Sequence, residues 1–193
     1  MTILQVATNH AGQGLDTTLA FAIIGGLWTL VKFFSDYLDN KRKSKLEYFK
    51  TVREYNAQLR NWANQIIDLM TSAGHLCLID PKQDSTFYEK RHNLLIDLSS
   101  WTDKGRFFLP NSGMDAFGQL KPSAYRGFRS DSLNLIVKCY DLVRSMDYID
   151  QTKNIELKTK IMDTKRDFVS TIQDELDPRK FEIEFIGHIK REI

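Results

Sequence analysis

The first long run of apolar residues lies near the start of the chain. Residues 15–38 read LDTTLAFAIIGGLWTLVKFFSDYL, and within residues 17–34 the only charge is Lys32. At roughly 1.5 Å of rise per residue, a helix over residues 17–34 covers about 27 Å, close to the ~30 Å hydrocarbon core of a bilayer. The pattern predicts a transmembrane helix over 15–38; the alternative is a buried core helix of a soluble protein. The positions expected to face the membrane are Leu19, Phe21, Ile23, Ile24, Gly25, Gly26, Leu27, Trp28, Leu30 and Val31.

Charged residues on the two sides of this segment indicate its orientation. The chain has no Lys or Arg before Lys32. A basic cluster follows the segment, formed by Lys41, Arg42, Lys43 and Lys45. Cytoplasmic flanks carry the excess of basic residues, and a cleaved signal peptide would need a positive region before its apolar run. We therefore expect a single-pass protein of a bacterial inner membrane, with an external tail over 1–14 and a cytosolic helical domain over 39–193.

A second hydrophobic pattern begins after the basic cluster and alternates steps of four and three residues. Its members are Tyr48, Val52, Tyr55, Leu59, Trp62, Ile66, Leu69, Ala73 and Leu76. This is the a/d spacing of a coiled coil, so a long helix should pack along one stripe. The stripe either faces other helices of the same chain or forms an oligomer seam through the residues from Val52 to Leu69.

Further helices are predicted by capping residues and apolar spacing. Thr86 and Glu89 form a capping-box pattern before a helix over 86–102. Ser130 or Asp131 can cap the next helix, and Thr152 the one after it. Asp177 before a proline predicts the start of a last helix, with apolar positions at Phe181, Phe185, Ile186 and Ile189. No stretch alternates as a strand, so the predicted fold class is all-α.

Between two of these helices, residues 103–131 differ in composition from the rest. This segment holds four of the ten glycines and two of the four prolines, interleaved with basic and aromatic residues. Glycine allows close backbone approach, arginine offers a planar fork of donors, and aromatic rings offer stacking faces. We therefore predict that this loop binds a phosphate, a nucleotide base or an acidic peptide; the alternative is that it covers and caps the helices. The candidate binding residues are Arg106, Lys121, Tyr125, Arg126 and Arg129.

The remaining composition gives little support to catalysis. The chain has no CxxC, HExxH, phosphate-loop or GxSxG motif, and its four histidines are scattered. Cys77 and Cys139 lie in apolar helical surroundings and are expected to be reduced core residues. No catalytic residue, metal site or cofactor is predicted, and the sequence leaves open whether the protein is an enzyme while favouring the view that it is not.

The layout as a whole resembles one group of proteins. A single amino-terminal span, a basic junction, a long helix and a small all-α domain look like the membrane accessory proteins of RNA-guided, RNA-targeting CRISPR systems. Residues 105–111, GRFFLPN, also resemble a stretch of bacterial single-span proteins whose function is unknown. The first resemblance implies a degenerate HEPN-like domain and assembly into membrane pores, with an RNA-guided effector as a partner.

Three functional hypotheses follow. The first is a non-enzymatic, self-associating membrane protein, such as a pore-forming or membrane-perturbing antiviral defence effector that works as a homo-oligomer. The second is a membrane tether whose loop binds a protein partner, a nucleotide or another anionic ligand. The third is a cryptic HEPN-like ribonuclease using Arg91 or His92.

Overall fold

The structure is a computed structural model that describes the backbone of residues 3–113 and 116–180, and the side chains of residues 21–113 and 116–180. The chain divides into two compact units, Met1–Arg53 and Glu54–Ile193. The helices are α1 (Ile3–Leu76), α2 (Phe87–Gly105), α3 (Asp131–Arg144) and α4 (Gln151–Glu175), and a short 3₁₀ turn spans Ser123–Tyr125. Within the described ranges no strand forms beyond one isolated bridge, between Ser112 and Phe128. The all-α prediction is confirmed.

The first unit is the amino-terminal part of α1. The helix begins at Ile3, so the backbone of residues 3–14, expected as a tail, is helical. It is long and apolar enough to cross a membrane, and its most apolar window has no buried residue. A core helix of a soluble protein would be largely buried, and among the described residues none covers this window. The Thr29 hydroxyl donates to the carbonyl of Gly25 at 2.8 Å, which satisfies that polar group inside the helix.

In the second unit, the carboxyl-terminal part of α1 forms one wall of the hydrophobic core. Leu59 and Ile66 are fully buried and Trp62 is 3% exposed, all against other helices of the same chain. The predicted oligomer seam is therefore, from Leu59 onward, an intrachain packing stripe. The spacing also departs from a coiled coil, because Met70 is fully buried while Leu69 is only partly so. A straight helix of 3.6 residues per turn drifts away from a seven-residue repeat in this way.

The core continues through α2, α3 and α4. Helix α2 packs on α3, and α3 packs on α4. Trp62 of α1 meets the Phe168 ring of α4 at 5.9 Å between centroids, and its indole N–H donates to the carbonyl of Trp101 of α2 at 2.9 Å. Gly105 allows the close approach at the end of α2, since a Cβ there would lie 2.4 Å from Trp62 and 2.6 Å from Leu133. The core residues include Phe87, Leu94, Leu98, Leu133, Ile136, Cys139, Val143, Ile161, Phe168 and Ile172.

Helix caps confirm some predictions and correct others. Ser130 caps α3 as predicted, its hydroxyl accepting from Leu133 N at 3.4 Å. Thr86 precedes α2 but makes no capping-box bond; its own N–H and hydroxyl instead donate to the Asp84 carboxylate. Thr152 does not cap α4 either: Asp150 does, accepting from the Thr152 N–H at 3.0 Å.

A further helical turn follows α4. Residues 178–180 are helical after Asp177, as the Asp-Pro pair predicts. The Asp177 carboxylate accepts from the Arg179 N–H at 3.0 Å. The apolar positions predicted from Phe181 onward lie outside the described residues.

Candidate functional site

The loop between α2 and α3 closes on itself through backbone contacts. Ser112 and Phe128 exchange two backbone hydrogen bonds, at 2.9 and 2.7 Å. Gly127, the residue before Phe128, has φ +78°, and a Cβ on it would lie 2.2 Å from the Ser112 carbonyl oxygen. Its N–H donates to the Phe117 carbonyl at 2.8 Å. Only glycine fits at this crossing, and the crossing gives the loop a defined shape.

Arg106 ties the two ends of this loop together. Its Nε donates to the Asp103 carboxylate at 3.2 Å, and its Nη1 donates to the side-chain oxygen of Asn111 at 3.1 Å and to the carbonyl of Ala124 at 3.4 Å. The guanidinium also stacks on the Tyr125 ring, 4.5 Å from its centroid. With its side chain 11% exposed, Arg106 acts mainly as a structural link within the loop.

Arg126 also serves the loop's own structure. Its Nε donates to the Lys121 carbonyl at 2.8 Å, and its carbonyl accepts from the Asn111 side-chain amide at 2.8 Å. Its side chain is exposed but does not line the cavity that the loop encloses. Arg126 is therefore placed beside the site rather than within it.

The loop and the start of α3 enclose an open cavity of about 480 Å³. It is lined by Arg106, Asn111, Phe117, Lys121, Pro122, Tyr125, Gly127, Phe128, Arg129 and Asn134. We call this cavity the loop pocket. Among the described lining residues three are cationic and none is acidic. Its size is within the range of pockets that hold small ligands.

Arg129 supplies the most unusual feature of the loop pocket. Its Nε is buried, and among the described residues it has no hydrogen-bond partner. Leaving a buried donor unpaired costs about 1–3 kcal/mol, and more when the group is charged. Such groups are uncommon in folded proteins, and a donor beside a cavity is open to an acceptor from a water molecule or a ligand.

Aromatic rings form another part of the wall. Phe117 and Phe128 stack with centroids 5.9 Å apart, and the Lys121 ammonium lies 5.0 Å from the Phe117 centroid. Tyr125 is 43% exposed, Phe117 53% and Phe128 57%. The loop pocket thus combines positive charge with exposed aromatic surface, which suits an amphipathic anion.

Of the five predicted binding residues, four line the loop pocket: Arg106, Lys121, Tyr125 and Arg129. Arg126 does not. The prediction omitted Asn111 and Asn134, whose amides belong to the wall. Asn111 follows Pro110 in the GRFFLPN segment and could have been noticed there, whereas Asn134 lies inside α3 with no distinguishing signal.

The residues proposed for a cryptic ribonuclease have other contacts. The Arg91 Nε donates to the Val143 carbonyl at 3.0 Å, and its two other nitrogens bond the Tyr148 hydroxyl and the Arg144 carbonyl. Arg91 thus caps the carboxyl end of α3. His92 stacks on Tyr88, with centroids 6.1 Å apart.

Comparison of the chain with protein families, with curated proteins and with solved structures found no match. The outline resemblance to HEPN-like accessory proteins therefore stays a prediction. Across the described residues no group of three or more His, Cys, Asp or Glu side chains is placed to hold a metal ion.

Proposed function

We propose that this protein is a membrane-anchored helical protein that binds an anionic group in its loop pocket. The observation that carries the proposal is the half-buried Arg129, whose buried Nε has no partner among the described residues. It lies on the wall of a cavity whose described lining includes two more cations and no acidic residue. A phosphate or carboxylate oxygen would satisfy that donor in a charge-assisted hydrogen bond. The proposal corresponds to the second hypothesis from the sequence, a membrane tether, in which the loop rather than a helix binds the ligand.

Membrane anchoring is supported by the exposed surface of α1. Phe21, Leu27 and Trp28 are 57–76% exposed, a degree of apolar exposure that a water-soluble helix does not sustain over several turns. In a bilayer the same side chains would contact lipid. The basic cluster after the segment would then lie among anionic headgroups on the cytoplasmic side.

Self-association and pore formation have less support. The stripe from Leu59 to Leu76 is occupied within the chain, so it offers no seam to a neighbour. The apolar segment is one surface for contacts between copies, since a Cβ at Gly25 or Gly26 would meet no atom within 4 Å. Val52 and Tyr55 of the predicted oligomer seam are also not buried among the described residues. The pore, the defence role and an RNA-guided effector partner remain predictions from the sequence.

The test is a binding measurement on the full chain in nanodiscs of neutral lipid. We expect inorganic pyrophosphate to bind, and Arg129→Gln to weaken binding tenfold or more, because charge-assisted bonds are worth about 1.5–3 kcal/mol. The matched control is Arg166→Gln on α4, whose side chain is 74% exposed and pairs with Asp163 at 2.7 Å. Equal affinity of the wild type and the Arg129 variant by calorimetry, or no binding by either, would contradict the proposal.

A further inference from the structure

The loop pocket brings aromatic rings and cations together. The Lys121 ammonium lies 5.0 Å from the Phe117 centroid, and the Phe117 and Phe128 rings are nearly parallel, with 18° between their planes and 5.9 Å between their centroids. Arg129 follows Phe128 directly in the chain. All four residues line the same cavity. An anion bound by Lys121 therefore lies beside an aromatic ring.

Tyr125, another ring of the loop pocket, is held in place by two contacts. The Arg106 guanidinium carbon lies 4.5 Å from its centroid, and its hydroxyl donates to the Asp103 carboxylate at 3.3 Å. Tyr125 is nevertheless 43% exposed, so part of its surface is open to a ligand. A side chain that is already fixed loses little conformational freedom on binding, which favours affinity.

The rings of the loop pocket are not needed to cover the helices. Leu109 of the same loop belongs to the hydrophobic core, and Phe108 packs against that core. Among the described residues, Phe117, Tyr125 and Phe128 are not part of the core or packed against it. The loop therefore divides its apolar residues between two tasks, and the three rings of the loop pocket stay available for a ligand.

The charges of the loop pocket match a phosphate monoester. Arg106 is already paired with Asp103, which leaves Lys121 and Arg129 as the cations open to a ligand. A phosphate monoester carries roughly two negative charges at pH 7 and offers three acceptor oxygens. An inorganic anion would use these cations and leave the rings in water. A phosphate joined to a planar ring would use both, because bases stack on aromatic side chains.

We infer that the ligand of the loop pocket is a purine nucleoside monophosphate, with its phosphate bound by Lys121 and Arg129 and its base stacked on the aromatic wall. The inference rests on the proposed function and names the class of anion. Phosphotyrosine also joins a phosphate to a ring. A purine is favoured because three exposed rings offer more stacking area than one phenyl ring covers.

The test compares four ligands by calorimetry on the full chain in nanodiscs of phosphatidylcholine: AMP, ribose 5-phosphate, adenosine and phosphotyrosine. AMP and ribose 5-phosphate carry the same phosphate, so the ratio of their affinities measures the contribution of the base. We expect AMP to bind about fivefold or more tightly than ribose 5-phosphate, the lower end of the range for base–aromatic stacking. Adenosine, which lacks the phosphate, should bind about tenfold or more weakly than AMP.

Variants assign the two parts of the ligand to the two parts of the wall. The double variant Phe117→Leu, Phe128→Leu keeps apolar side chains but removes two rings. It should bring the affinities for AMP and ribose 5-phosphate within about twofold of each other. Phe107→Leu is the matched control, since Phe107 is 84% exposed and is not among the described residues of the loop pocket. It should keep the wild-type ratio, while Arg129→Gln should weaken both ligands about tenfold or more.

Equal affinity of the wild type for AMP and ribose 5-phosphate overturns the inference, as does tighter binding of phosphotyrosine than of AMP. If pyrophosphate still binds in an Arg129-dependent manner in those cases, the proposed anion-binding function stands and only the nucleotide assignment fails. Adenosine that binds as tightly as AMP contradicts both. A double variant that keeps the wild-type ratio also overturns the inference. If that variant no longer binds ribose 5-phosphate, the wild-type ratio decides.

Discussion

Two glycines of the loop region show how similar residues can have different tasks. Gly105 leaves space for Trp62 and Leu133 in the core, with a Cβ placed 2.4 Å from the Trp62 ring. Gly127, at φ +78°, instead lets two loop segments cross, because a Cβ there would lie 2.2 Å from the Ser112 carbonyl oxygen. Each glycine follows a basic residue in the sequence, Lys104 or Arg126, and only the packing distinguishes the two.

We predict opposite effects of alanine at these positions. Gly105→Ala overpacks the core and should lower the free energy of unfolding by about 1–3 kcal/mol while leaving the loop pocket intact. Gly127→Ala should open the loop and weaken pyrophosphate binding tenfold or more, with little change in thermal unfolding of the helices. Thermal denaturation by circular dichroism and calorimetric titration of both variants provide the check. The reverse pattern would show that the loop pocket depends on the core rather than on the loop crossing.

The two cysteines should be chemically inert in the folded protein. Burial raises the pKa of Cys77 to about 11, and burial together with the nearby Cys77 raises the pKa of Cys139 to about 12. Because the thiolate is the nucleophile, maleimide should react slowly with both at pH 7.5 and rapidly after unfolding in guanidinium. Rapid labelling of either thiol in the folded state, followed by mass spectrometry, would contradict the buried placement.

At the scale of a helix, the role of the α1 stripe can be measured directly. Ile66 is fully buried, so Ile66→Ala should lower the free energy of unfolding by about 2–5 kcal/mol without changing the native mass in detergent. The neighbouring Gln65 is exposed, and Gln65→Ala serves as the control with nearly unchanged stability. A fall in native mass with intact helicity would instead show that Ile66 contacts a second copy of the chain.

The helices could be predicted because their signals are local. Apolar residues at steps of three and four mark α1 to α4, and Ser130 is a good cap that forms as expected. The wrong caps, Thr86 and Thr152, each lie two residues after an aspartate that takes the hydrogen bonds instead. Several polar residues within two positions of a helix start compete for the same N–H groups, and the sequence alone does not rank them.

The shape of the loop pocket could not be predicted, because its contacts join residues far apart in the chain. Composition correctly indicated a basic, aromatic loop. It could not show that Arg106 bonds Asn111 and Ala124, or that the Arg129 Nε stays unpaired among the described residues. These contacts depend on the crossing at Gly127, and the sequence alone does not give the backbone conformation that forms this crossing.

At the scale of the whole molecule, orientation in the membrane is the main open prediction. With basic residues absent before Lys32 and clustered at 41–45, the carboxyl terminus should be cytoplasmic. A carboxyl-terminal fluorescent protein should therefore be bright, and a carboxyl-terminal alkaline phosphatase inactive. Replacing the four basic residues of the cluster by Gln should produce a mixed orientation. An active phosphatase fusion on the unmodified chain would refute the assignment.

The distribution of the three tryptophans has a practical consequence. Trp28 is 72% exposed on the apolar segment, Trp62 is 3% exposed in the core, and Trp101 lies partly exposed with the Lys104 ammonium 3.9 Å from its ring centroid. The three tryptophans therefore have different surroundings, and their fluorescence emission should differ accordingly. Brominated lipids should quench Trp28 alone, and denaturant should shift the emission of Trp62 to longer wavelength. With single-tryptophan variants, the protein carries an intrinsic optical readout that separates bilayer insertion from unfolding.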